Sequence, residues 1–171
     1  SGRSGGQAIF GFGCDQSKIT QAVGLETSKQ MFDWSIEGMD IIKDRCQQYA
    51  IDCDWRDVHA HVPIKPRHIT ELKNWQSDLS KNFSYELQWW SREQLQAVMP
   101  NERYLGALVD PRSGHLHPLK YTQGLAKAAL SLGVQIFEQS KVLELVRGEK
   151  PLFKTAEGEV SCDFAVLAGN A

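Results

Sequence analysis

Apolar residues change their period several times along this chain, and that switching constrains the fold more than any other feature. Between residues 17 and 49, Ile19, Val23, Met31, Phe32, Trp34, Ile36, Met39, Ile42, Cys46 and Tyr49 recur at mixed three- and four-residue intervals, as an amphipathic helix requires. Gly24 or Gly38 is placed to break or kink that helix, since glycine in a helix interior costs about 1 kcal/mol relative to alanine. Residues 53–64 then alternate, with Trp55, Val58, Ala60 and Val62 separated by charged residues and histidines, which predicts a strand with one wet face, closed by Pro63 and Pro66. A second helix is expected over 67–82 through Ile69, Leu72, Trp75 and Leu79, and a strand over 85–90. Ser91 with Gln94 three residues on makes a capping box for a short helix that stops before Pro100.

Residues 104–109 return to a strand pattern, and Pro111-Arg112-Ser113-Gly114 reads as a turn. His117-Pro118 opens the clearest helix, with proline in the first turn, Leu119, Leu125, Ala126, Ala129 and Leu130 on its expected buried side, and Gly133 as the stop. Strand-like segments follow at 134–137, 141–146 and 152–155, then a Glu157-Gly158 turn and an apolar run at 164–168. That last run is expected to be a central strand, buried on both faces. The order of elements fits an α/β fold of mixed α+β character, in which residues 50–112 are an inserted region between 1–49 and 113–171.

With 42% apolar and 23% charged residues in 171, the chain has the composition of an ordinary globular domain. A formal charge of −2 creates no positive field for nucleic acid. No apolar run approaches the roughly 20 residues that cross a bilayer, so a soluble cytoplasmic protein without a membrane span is the expectation. Cys14, Cys46, Cys53 and Cys162 are too scattered for a zinc knuckle or a dithiol motif and read as buried thiols. His59 with His61 and His115 with His117 have strand spacing, but no acidic or thiol partner follows at a metal-like interval, so no metal is expected.

The opening residues 1–13 carry Gly2, Gly5, Gly6, Gly11 and Gly13 with Arg3 as the one charge, a loop suited to close backbone approach. The chain closes on an apolar strand pattern running into Ala168-Gly169-Asn170, and neither end has the look of a natural terminus. A piece of a longer protein, with parts of the same polypeptide on both sides, is therefore expected.

Three segments together, Ser1-Gly2-Arg3-Ser4-Gly5-Gly6-Gln7, then Gly114-His115-Leu116-His117-Pro118-Leu119-Lys120-Tyr121, then Phe164-Ala165-Val166-Leu167-Ala168-Gly169-Asn170-Ala171, resemble the D-amino-acid-oxidase-like family of FAD-dependent oxidoreductases, and within it the gamma-glutamylputrescine oxidoreductase branch. The resemblance runs along nearly the whole chain. It implies a partial FAD-binding Rossmann-like domain with part of an inserted substrate-domain region, and FAD as cofactor. It also implies oxidation of a small-molecule primary or secondary amine to an imine. An amino-acid or sarcosine-like oxidase or dehydrogenase of the same fold, and a non-catalytic interaction module, remain alternatives.

The cofactor-binding residues implied by the resemblance are Ser1, Gly2, Arg3, Ser4, Gly5, Gly6 and Gln7 near the pyrophosphate and flavin, Val142 near the adenine, and Ala168 and Gly169 where the last strand passes under the cofactor. Glycines let backbone N–H groups reach phosphate or flavin oxygens, and Arg3 can add a charge-assisted bond. No catalytic residue is assigned. His117 before Pro118 is read as a helix-start residue rather than a base, and Trp75, Trp89 and Trp90 as packing rather than a substrate cage. The Gly-x-Gly-x-x-Gly fingerprint of the dinucleotide fold does not occur in this sequence, so by itself the chain is expected to bind FAD weakly or not at all.

Overall fold

The computed structural model describes residues 4–169, which form a mixed α/β structure of two compact units, Ser1–Ala128 and Ala129–Ala171. Ser1, Gly2, Arg3, Asn170 and Ala171 lie outside the described residues.

In the first unit the chain runs β1 (Gln7–Ala8), α1 (Gln16–Val23), α2 (Leu25–Gln48), β2 (Arg56–His61), α3 (Pro66–Phe83), β3 (Gln88–Trp90), α4 (Arg92–Val98), β4 (Ala107–His115) and α5 (Pro118–Ser131). The helix expected over 17–49 is broken at Gly24, whose φ of 80° lies in the region that favours glycine, while Gly38 stays inside α2. The capping box forms as the sequence predicts: Gln94 N donates to Ser91 Oγ at 3.3 Å, and Ser91 N donates to Gln94 Oε1 at 2.8 Å.

Every strand of this unit is antiparallel to β4. β2 lies along one edge, from Arg56 opposite His115 to His61 opposite Leu108, and β1 and β3 bond to β4 at its two ends. The turn expected at 111–114 does not reverse the chain. Asp57 pairs with Gly114 and His59 with Asp110, so Pro111, Arg112 and Ser113 face the single residue Val58 as a wide bulge inside β4. Proline cannot donate to a ladder, and here its turn chemistry is absorbed by that bulge: the Arg112 N–H donates to Asp110 Oδ1 at 2.9 Å, a local turn within the strand.

The bulge also changes which side of β2 is buried. Val58, at a φ of 81°, and Ala60 are exposed, whereas His59 and His61 are half-buried. The sequence alternation predicted the reverse, because it assumed an uninterrupted pleat.

Alternation along β4 divides the core in two. Leu108 joins Phe32, Ile36 and Met39 of α2, Leu79 of α3, Tyr85 and Leu87. Ala107 and Val109 face the other way and pack with Leu95 of α4, flanked by Val62, Trp90 and Tyr104. Phe32 is 1% exposed, and its ring lies 5.4 Å from Phe10, 5.0 Å from Phe83 and 5.4 Å from Tyr85. On α5 Ala128 is buried and Tyr121, Gly124, Leu125, Ala126 and Ala129 are half-buried, so the expected side holds for Leu125, Ala126 and Ala129, while Leu119 and Leu130 are exposed and correct it. Gly124 has no room for a side chain, because Ile51 fills the place of its β-carbon.

The second unit is an antiparallel meander of β5 (Glu144–Val146), β6 (Leu152–Lys154) and β7 (Glu159–Ser161). The Glu157-Gly158 turn is present: the Thr155 amide and hydroxyl both donate to Gly158 O, at 2.8 and 2.9 Å. Residues 134–137 are not a strand. Residues 164–168 are not one either, and Phe164 and Val166 are 92% and 86% exposed. The central strand expected there is overturned for this chain. An apolar run becomes a buried strand only when neighbours bond both of its edges, and among the described residues none does.

Phe32→Ala is expected to cost about 3–5 kcal/mol, since it empties the place where α2, α3 and the Phe10 segment meet. Urea denaturation followed by circular dichroism checks this, and a loss below about 1 kcal/mol would contradict the packing described.

Candidate functional site

The glycine loop is pinned from several sides. Gly6 N donates to Ser4 Oγ at 3.3 Å, Leu116 N donates to Gly6 O at 2.8 Å, and Gln7 and Ala8 then pair with His115 and Gly114. Further on, Phe10 N donates to Ser113 Oγ at 3.3 Å and Gly11 N to Ser35 Oγ at 2.9 Å. Two adjacent glycines do different work here. Gly6 is buried at a φ of 75°, and a β-carbon there would collide with Leu116 O and crowd Pro118. Its close approach is made to its own chain. Gly5 is exposed and a β-carbon added there would meet nothing within 4 Å, so the backbone at Ser4-Gly5 is open to a ligand.

The structure thus brings Ser4, Gly5, Gly6 and Gln7 together beside a groove of ≈ 350 Å³ lined by Ser4, Gly6, Leu116, Pro118 and Tyr121. Val142, Ala168 and Gly169 belong to the second unit. Val142 precedes β5 rather than lying on it, is 48% exposed, and lines a cavity of ≈ 560 Å³ with Phe137, Phe153 and Val160. Ala168 and Gly169 are exposed and do not line that cavity.

A second cavity of the first unit, ≈ 470 Å³, opens where residues 10–17 pass over α2 and α3. Phe10, Phe12, Trp75 and His61 line it, with the carboxylates of Asp15 and Asp78. The Phe10 and Trp75 rings are stacked at 5.7 Å, and His61 stands edge-on to Trp75 at 4.9 Å. Burial, and then the neighbouring His59, hold the His61 imidazole below its ordinary range, against a smaller opposing pull from Asp110. Aromatic faces with carboxylates and no lysine or arginine in the lining suit an organic cation.

Asp110 is the residue that sequence reasoning missed. It is 1% exposed, and its two oxygens share the single Tyr85 hydroxyl proton at 2.9 and 3.0 Å, besides accepting from Arg112 N. Burial and the Asp110 carboxylate push the Tyr85 phenol well above its usual range, so the hydroxyl stays protonated and keeps donating. The available signal was an acid ending the apolar run Leu105 to Val109, since a buried carboxylate requires built-in partners.

The other sequence candidates are settled by packing. His117 starts α5: its carbonyl accepts from Tyr121 N at 3.0 Å, and its Nδ1 has a long contact of 3.5 Å from Lys120 N. Trp89 packs on the Phe32 cluster and Trp90 on the Leu95 cluster. His59 and His61 lie 4.9 Å apart ring to ring, but among the described residues no group of three metal-ligating side chains comes together. No helix of the described residues is long and apolar enough to cross a membrane.

Compared with known proteins, the whole chain, residues 1–171, matches the family described as FAD dependent oxidoreductase. It is 40% identical to a probable oxidoreductase, OrdL, of Haemophilus influenzae, with all of this chain and 40% of that protein covered. It is 29% identical to the gamma-glutamylputrescine oxidoreductase of Escherichia coli over the same shares. The chain therefore spans about 40% of the length of these curated relatives. Among solved structures, the glycine oxidase of Geobacillus kaustophilus superposes with a TM-score of 0.70 at 15% identity, covering 95% of this chain and 43% of that one. The L-amino acid deaminase of Proteus myxofaciens gives 0.70 at 16%, covering 94% and 35%. At such identities the likeness is one of fold.

His61 supplies a pH test. Its folded-state pKa is depressed, so the unfolded chain takes up the proton more readily, and the stability contributed by the neutral ring is present above about pH 6.5 and lost as pH falls through that value. Thermal melts between about pH 8 and pH 5.5 should show a smaller loss for His61→Gln than for the unaltered protein. Identical losses would mean that the imidazole is not held neutral by its surroundings.

Proposed function

We propose that this chain, which belongs to the FAD-dependent oxidoreductase family, carries the flavin-facing loop and one wall of the substrate cavity of an enzyme that oxidises a primary or secondary amine to an imine. The observation that carries the reading is the full-length family match together with an open backbone at Gly5. A loop with room beside its glycine fits a planar cofactor brought against it, and Ser4, Gly5 and Gln7 are the described residues that would hold the group. Residues 1–49 and 113–171 would then serve the cofactor side and 50–112 the substrate side, with Val142 toward the adenine and Ala168 and Gly169 beneath the cofactor. The compartment in this reading is the cytoplasm, and the cofactor needs the rest of the longer polypeptide for tight binding.

Bound FAD would accept the hydride from the carbon that carries the amine nitrogen. The chain's own residues do the rest. Asp15 and Asp78 draw the amine to the cavity as its cation, which gives one N–H proton to solvent so that the neutral amine is the form that loses hydride, and the Phe10, Phe12 and Trp75 rings take its alkyl portion. His61, held neutral, adds no competing positive charge. An amino-acid substrate is the second reading, but it would need a cation for its carboxylate, and the cavity lining supplies none. In the full-length protein, an aliphatic amine such as a gamma-glutamyl diamine is expected to be turned over with kcat/KM at least about tenfold above that for simple α-amino acids. A preference for amino acids would favour the second reading.

The cofactor placement is tested at Gly5 rather than Gly6, because valine at Gly6 would disturb Leu116 whether or not a cofactor binds. Gly5→Val in the full-length protein is expected to weaken FAD retention about tenfold or more while leaving the circular dichroism spectrum and melting temperature unchanged. Flavin absorbance per protein after purification reads the result. A full complement of FAD in that variant would remove the loop from the cofactor.

A further inference from the structure

Cys46 lies in the last turn of α2 and Cys53 in the loop that follows, and their Sγ atoms are 3.4 Å apart. The backbone between them is held in place: Ile51 N donates to Cys46 O at 2.8 Å, and Cys53 O accepts from His117 N at 2.7 Å at the start of α5. A disulfide needs its sulfurs about 2.05 Å apart, so a movement of roughly 1.4 Å closes the bond, within reach of modest side-chain rotation. The two thiols differ in access. Cys46 is partly exposed, whereas Cys53 is 2% exposed and has Cys46 as its sulfur neighbour.

We propose that Cys46 and Cys53 form a peroxide-oxidisable pair that closes an intramolecular disulfide. In the first step the Cys46 sulfur attacks one peroxide oxygen, the O–O bond breaks, and Cys46 becomes a sulfenic acid as one water leaves. In the second step the Cys53 sulfur attacks the Cys46 sulfur, the S–O bond breaks, and the hydroxyl departs as a second water with the Cys53 proton. Two thiols supply the two electrons that reduce one hydrogen peroxide to two waters. Burial of Cys46 and its contact with Cys53 push its thiol up to about 11, so little of it is thiolate near neutral pH and the oxidation is slow there and faster in alkali. Once formed, the bridge ties the end of α2 to the residue whose carbonyl holds His117, next to the Leu116 that bonds Gly6.

The inference is independent of the amine reading, because it concerns two sulfurs and an added oxidant. No lysine or arginine lies between the two cysteines, so tryptic cleavage after Arg45 and Arg56 places both on one peptide, 46–56. The full-length protein with its flavin is treated with hydrogen peroxide near pH 9, unfolded, alkylated and digested. The expected result is a 46–56 peptide two hydrogens lighter, unalkylated, and restored by dithiothreitol. Cys46→Ser should leave Cys53 as a free thiol under the same treatment, and because Cys46 is partly exposed this variant is the less disruptive of the two. Recovery of both cysteines alkylated, accumulation of Cys46 sulfinic acid as fast as in Cys53→Ala, or a bridge to Cys14 or Cys162 would each overturn the proposal.

Discussion

The antiparallel ladder on β4 is the constraint on which the first unit depends. Among the described residues β1, β2 and β3 bond to this one strand and to no other, so its backbone groups fix where each of them lies. The pleat of β4 sends Leu108 toward α2 and α3 and sends Ala107 and Val109 toward α4. One strand thereby separates two apolar clusters and sets the distance between them. The bulge at Pro111 to Ser113 is a consequence of the same pairing, because a strand bonded on both edges cannot leave the sheet at a proline and instead gives up part of its register.

That bulge also places the polar groups of the site. Asp110 stands at its edge, inside the core, where an unpartnered carboxylate would be costly. Two donors, the Tyr85 hydroxyl and the Arg112 N–H, answer that cost and hold the bulge closed. The register slip turns His59 and His61 toward the helices, so that His61 reaches Trp75 and the cavity beneath residues 10–17. Ser113, released from the ladder, donates to Met39 Sδ at 3.6 Å and accepts from Phe10 N, which ties the glycine-rich segment to the core.

The glycine loop shows how far local reading goes. The run of glycines predicts close approach, and the structure contains it, but at Gly6 the approaching group is Leu116 of the same chain. Gly5, like Gly11 and Gly13 further on, leaves room for an added side chain. Glycine content states that a side chain is not tolerated; it does not state what would have struck that side chain. Family membership supplies a cofactor as one candidate, and Ser4, Gly5 and the exposed Gln7 are where the proposal lays it.

Helix positions, a break at Gly24 or Gly38, the capping box at Ser91 and Gln94, the start of α5 at Pro118 and the mixed α/β class were legible in the residues themselves, because the helix signals depend on interactions within about four residues of the chain. The family, too, was legible, since the order of its motifs is a property of the sequence. Tertiary structure decided the rest. The bulge in β4, the inward histidines, the buried Asp110 and the Cys46 to Cys53 approach all depend on partners far away in sequence, which no local period encodes. The same reason explains the apolar residues 164–168, whose composition is that of a buried strand and whose conformation here is not. A strand is completed by its neighbours, and whether they are present is not written in the strand.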